Sequence, residues 1–153
     1  MLHIVLVMQL GALAGGTVNS SIADWKAPAW NNTKAADILS DISLGASLAV
    51  DTWDTFHCAD KKHCAIKQAE RTAINIAAAE GVKRWIHRDR PDGSDNMSFY
   101  SEHTAITAMG PRLVFTLPLT FSTGYLRMAA NKHYFTDVLV GAGVGLLTGR
   151  YIK

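Results

Sequence analysis

Three short strings hold most of the residues able to do acid–base or anion chemistry. The first, Lys83-Arg84-Trp85-Ile86-His87-Arg88-Asp89-Arg90-Pro91, sets four cations and a histidine within nine positions. The second, Ser101-Glu102-His103, falls where a helix is expected to begin, and a hydroxyl beside unpaired backbone N–H groups makes an anion site. The third joins Arg127, His133 and Asp137. On one helix His133 and Asp137, at i and i+4, share a face. A carboxylate on one ring nitrogen then fixes the tautomer and leaves the other as nucleophile or base. Each string alone has a plainer reading. Lys and Arg favour the last turn of a helix, and a lone His–Asp pair is most often a surface hydrogen bond.

The order and spacing of the three strings change that reading. Lysine, six residues, Arg-Pro; then Ser-x-His; then Arg, five residues, His, three residues, Asp: this resembles the type 2 phosphatidic acid phosphatase and vanadium haloperoxidase superfamily. The flanking Arg-Pro-Asp-Gly-Ser and Ser-Phe-x-Ser-x-His-Thr-Ala strings add specificity. The resemblance implies that Lys83, Arg90 and Arg127 clamp phosphoryl oxygens and stabilise the charge that builds in an in-line transfer. Ser101 and nearby backbone amides, Glu102 N–H among them, would complete the cradle. His133 would attack phosphorus, Asp137 would orient it, and His103 would protonate the leaving oxygen. No metal or other cofactor is required; vanadate would act as an inhibitor. Two positions depart from the family pattern. Tyr100-Ser101-Glu102-His103 stands where Pro-Ser-Gly-His is usual, and Leu126 stands where a serine precedes the arginine. Glu102 brings a carboxylate to an anion site.

The implied function is a phosphatase acting on phosphate monoesters or lipid (pyro)phosphates through a phosphohistidine. Two alternatives use the same residues: a catalytically inactive phosphate-binding homologue, motivated by Glu102 and Leu126, and a vanadate-dependent haloperoxidase, whose known members are typically much larger. No nucleic-acid partner is expected, since 15 Lys+Arg against 13 Asp+Glu give a net charge of only +2.

The elements that must position these residues read as helices throughout, an all-α bundle. From Lys34, the residues Ile38, Leu39, Ile42, Ala46, Ala49 and Val50 fall on one helical face. A second helix is expected over 64–85, with Ile66, Ala69, Ala73, Ile76, Ala77 and Ala78 packing inward and Lys67, Glu70 and Arg71 facing water. Residues 92–96 (DGSDN) must form a loop, and Ser101 should cap the run 102–109. Residues 112–131 form a further helix, kinked or broken at Pro118 or Gly124. The last, 134–151, carries Gly141, Gly145 and Gly149 on one stripe, which lets a neighbouring helix approach closely. No alternating strand pattern competes.

At 153 residues and 48% hydrophobic, the chain has the size and composition of a single globular domain. The uncharged internal runs 113–126 and 138–149 fall short of the roughly 20 residues a spanning helix needs. Residues 1–23 carry no Asp, Glu, Lys or Arg, and the apolar run 4–14 (IVLVMQLGALA) ends in small residues, as a signal peptide does. Residues 1–14 are therefore expected to be removed on export, leaving a domain over 15–153 in a periplasmic or extracellular setting. An uncleaved segment would instead anchor it to a membrane. Cys58 and Cys64 fit a loop disulfide, compatible with an oxidising compartment; reduced thiols come second, and zinc ligation by the two His-Cys pairs is the weakest reading. Trp53, Phe56, Phe99 and Tyr100 are candidates to line an entrance, or simply to pack.

Overall fold

Hydroxyls and glycines, more than large apolar side chains, let these helices pack. The computed structural model describes residues 24–152, so the expected signal peptide lies outside the described residues. Five helices follow an irregular start: α1 Thr33–Phe56, α2 Lys61–Ile86, α3 Glu102–Ala108, α4 Leu113–Ala129 and α5 Phe135–Tyr151, with no strand among the described residues. The all-α class is as expected. Asn32 caps α1 through Ala35 N–H at 3.0 Å, and Asp60 caps α2 through His63 N–H at 3.0 Å. His87 ends α2 in the left-handed conformation, φ 52°. Helix α4 runs on through Pro118 and Gly124 rather than breaking there.

Short α3 is the centre: all four other helices pack on it, and residues 104–108 are buried. The glycine stripe explains how. A Cβ at Gly141, Gly145 or Gly149 would lie within 3.0 Å of the carbonyl oxygens of Ser101, Ala105 and Met109 respectively. Backbone of α5 therefore rests on backbone of α3, as the stripe suggested.

The orientation of α1 and α2 overturns the sequence expectation. Ile38, Leu39 and Ile42 are 59%, 41% and 60% exposed, and the buried face of α1 is Ala36, Ser40, Ser43, Ser47 and Asp51. The reason is a polar seam against α4 and α3. Ser43 donates to Leu119 O at 3.3 Å, Ser47 to Thr107 O at 3.3 Å, and Thr123 on α4 to Ser43 Oγ at 2.8 Å. Small hydroxyls allow close approach and satisfy one another, which branched chains cannot do. In α2 the buried residues are Asn75, Ala79, Val82 and Lys83, while Ile66, Ile74 and Ile76 are exposed. Arg71, expected to face water, is partly buried and donates to Ile152 O at 2.7 Å.

Cys58 and Cys64 form a disulfide that ties the end of α1 to the first turn of α2. Both thiols are thereby used, which removes the zinc reading. No helix among the described residues is long and apolar enough to cross a membrane.

Candidate active site

One end of the bundle gathers the ends of all five helices' polar segments. Lys83 occupies the last turn of α2 and Arg127 the last turn of α4; Ser101, Glu102 and His103 open α3, and Asp137 lies in the first turn of α5. Arg90 lies in the connection from α2 to α3, and His133 between α4 and α5. These positions converge. Lys83, Arg90 and Arg127 all act on the His133 imidazole, and Arg127 and Glu102 act on His103.

His133 is 2% exposed, and its Nδ1 lies 2.7 Å from the Ser98 carbonyl. A carbonyl only accepts, so Nδ1 carries the proton and Nε2 keeps its lone pair. Burial first, then Arg127 and Arg90, hold the imidazole well below its ordinary pKa. The ring is therefore neutral, with Nε2 directed away from Ser98.

Asp137 does not orient His133 in the way the i, i+4 spacing implied. Its Oδ2 is 3.9 Å from Nδ1, beyond hydrogen-bond reach. The physical reason is that α5 begins at Phe135, so His133 lies in the preceding turn and shares no helical face with Asp137. The carboxylate instead accepts from Arg88 Nη1 and Ser98 Oγ, both at 2.5 Å, and reaches back to Tyr134 N–H at 2.9 Å. It thus acts on His133 through Ser98, whose hydroxyl it anchors and whose carbonyl holds Nδ1. Burial raises the Asp137 carboxyl although Arg88 and these hydrogen bonds oppose it.

Arg127 is 6% exposed; its Nη1 binds Asp37 and, at 3.3 Å, Ser40 Oγ, while its Nε has no acceptor. Lys83, 7% exposed, donates to Glu80 at 3.2 Å and to Glu102 at 3.1 Å. Arg90 Nε donates to Asp95 at 2.7 Å. Acidic residues thus sit on the cations themselves. His103 Nε2 lies 2.9 Å from Asp41 Oδ1, and its pKa is lowered, by burial first and by Arg127 second, against Asp41. Ser101 is fully buried; its N–H donates to Asp137 O at 3.0 Å, so this amide is not part of an anion cradle. Its Oγ accepts from Thr104 Oγ1 at 2.9 Å.

Sequence reasoning missed Arg88 as a support, Ser98 as the partner of His133, and Asp37 and Asp41 as partners of Arg127 and His103. The last two carried a readable signal: Asp37, Ser40 and Asp41 are one helical turn apart on α1. Phe99 and Tyr100 are fully buried packing residues. Trp53 and Phe56 are 62% and 64% exposed, toward the disulfide end of α1 and about 18 and 22 Å along it from Asp41; they do not line this site. At that far end Asp51, Asp54, Arg71 and Arg112 border a separate cavity of about 350 Å³. No protein-family model, curated protein or solved structure matches the chain.

Proposed function

We propose that the chain is a phosphatase that needs no metal and works through a phosphohistidine on His133. One observation carries the reading: a buried guanidinium, Arg127, presents an N–H with no acceptor at the site of a buried, neutral imidazole whose Nε2 keeps its lone pair. An unpaired buried donor costs free energy that a bound anion recovers. A phosphoryl oxygen is such an anion, and the neutral ring is a nucleophile for phosphorus. Substrates would be phosphate monoesters or lipid (pyro)phosphates, and the resemblance seen in the three motifs supplies the same class independently.

In that mechanism Nε2 attacks phosphorus while the bond to the leaving oxygen breaks. Protonated His103 gives its proton to that oxygen. Neutral His103 then takes a proton from water, which attacks the phosphohistidine, frees inorganic phosphate and restores both rings. Arg127, Arg90 and Lys83 stabilise the charge on the equatorial oxygens. The disulfide fits an oxidising, extracytoplasmic setting, which supports export.

The test is release of p-nitrophenol from p-nitrophenyl phosphate in EDTA, inhibited by vanadate and abolished in His133→Ala, with an acid-labile phosphohistidine trapped in the wild type. The inactive, phosphate-binding alternative is favoured by the carboxylate partners on Lys83, Arg90 and Arg127. A folded protein that binds phosphate but hydrolyses neither soluble nor lipid phosphates would decide for it. Halide oxidation with peroxide and vanadate would decide for the haloperoxidase.

A further inference from the structure

We propose that the Glu102 carboxylate is a built-in competitor for the phosphate site, holding the Lys83 ammonium that a phosphoryl oxygen would otherwise bind. The inference rests on the phosphatase reading and concerns how that site is loaded. An ammonium has three N–H donors. Glu102 Oε2 at 3.1 Å and Glu80 Oε1 at 3.2 Å take two of them, leaving one.

The two carboxylates are not equivalent. Glu80 precedes Lys83 by three residues on α2, its side chain is 38% exposed, and it also approaches Arg84 at 3.7 Å. Glu102 reaches Lys83 from a different helix. It opens α3 immediately before His103, with its side chain 23% exposed against 9% for Lys83. It is thus next in sequence to the group that would meet the leaving oxygen, and its charge also acts on the His103 ring. A dianionic phosphoryl group reaching Lys83 displaces this carboxylate or lies beside it, and either outcome weakens binding. The Glu102 side chain is partly exposed, so water can take the place of Lys83 as its partner. Phosphate affinity is thus set by exchange of one anion for another.

A merely structural tie between α2 and α3 predicts the opposite sign. Loss of that tie would loosen Lys83 and weaken phosphate binding. Removal of a competitor strengthens it.

The experiment measures inorganic phosphate binding by calorimetry, and its Ki against p-nitrophenyl phosphate, for wild type, Glu102→Gln and Glu102→Asp. Glu102→Gln should tighten phosphate binding about fivefold, the worth of one partly exposed ion pair, and lower KM by a like factor. Glu102→Asp, with a shorter reach to Lys83, should fall between the two and serves if the glutamine variant does not fold. Equal or weaker phosphate binding by a folded variant overturns the proposal while leaving the phosphatase standing. Absence of phosphate binding in wild type and variants alike overturns both readings. Binding that appears only in Glu102→Gln supports the competitor.

Discussion

Replacing the glycines of α5 one at a time separates the role of helix packing from the chemistry it positions. At Gly145 and Gly149 a new Cβ would sit 2.8 Å from the carbonyl carbons of Ala105 and Met109; at Gly141 it would lie 3.3 Å from that of Ser101 and closer still to its oxygen. Carbon atoms rest at about 3.5–4.0 Å, so α3 and α5 must part by roughly 1 Å, and the obstacle is backbone that cannot rotate away. Overpacking of this kind costs about 1–3 kcal/mol. In a chain of this size that lowers Tm by about 2–4 °C per kcal/mol. All three alanine variants should therefore melt about 5 °C below wild type. Activity should not fall equally. Gly141 bears on Ser101, two residues before His103, whereas Gly149 bears on Met109 at the far end of α3. A displacement of about 1 Å at reacting groups costs on the order of 100-fold. Gly141→Ala should lose about that much in kcat/KM, Gly145→Ala less, and Gly149→Ala little. Calorimetry and p-nitrophenyl phosphate turnover read the two effects separately. A Gly141→Ala protein with unchanged Tm and turnover within twofold of wild type would refute the backbone contact as the device that places α3.

Three further outcomes follow from charges and covalent links. Burial, with Asp54 second, pushes the Asp51 carboxyl up to about 7 against the opposing Arg71. Its folded pKa lies above its unfolded value, so stability is lost as pH rises from about 4 to about 7, by a few kcal/mol; Asp51→Asn should raise Tm at pH 8 and change it little at pH 4. In the proposed mechanism His133 is neutral and His103 protonated for the first step, and both have lowered pKa values. The alkaline limb of kcat/KM should then fall below the ordinary histidine value of about 6.5, and Asp41→Asn, which removes a group that raises His103, should move it lower still. Reduction of the Cys58–Cys64 disulfide, which spans six positions of sequence, should cost about 2 kcal/mol by chain entropy, read as a lower urea midpoint with turnover retained.

The helices were legible because turn formers and the glycine stripe are local signals, although Ser101, at the N-cap position of α3, makes no side-chain capping hydrogen bond. What the helices bury was not. Apolar periodicity in α1 points to Ile38 and Ile42, yet the structure buries Ser40, Ser43 and Ser47, because hydroxyl pairing with α4 depends on a partner 76 or more residues away. Of the candidate site residues, Lys83, Arg90 and Arg127 all act on the His133 ring and Arg127 also acts on His103, although they span three connections. Their individual partners were hidden for the same reason as the hydroxyl seam. The spacing of His133 and Asp137 suggested a direct contact, but the helix begins two residues after His133, which replaces a shared face with a contact relayed through Ser98.

The hydroxyl seam has a thermal consequence. Unfolding raises heat capacity through newly exposed apolar surface and lowers it through newly exposed polar surface. Here serines and threonines come out of the α1–α4 contact, while Ile38, Ile42, Val114 and Phe121 are already in contact with solvent. The heat-capacity increment per residue should therefore fall below the usual 12–15 cal/mol/K. A small increment flattens the stability curve, so this bundle should hold nearly constant stability over a wide span of temperature.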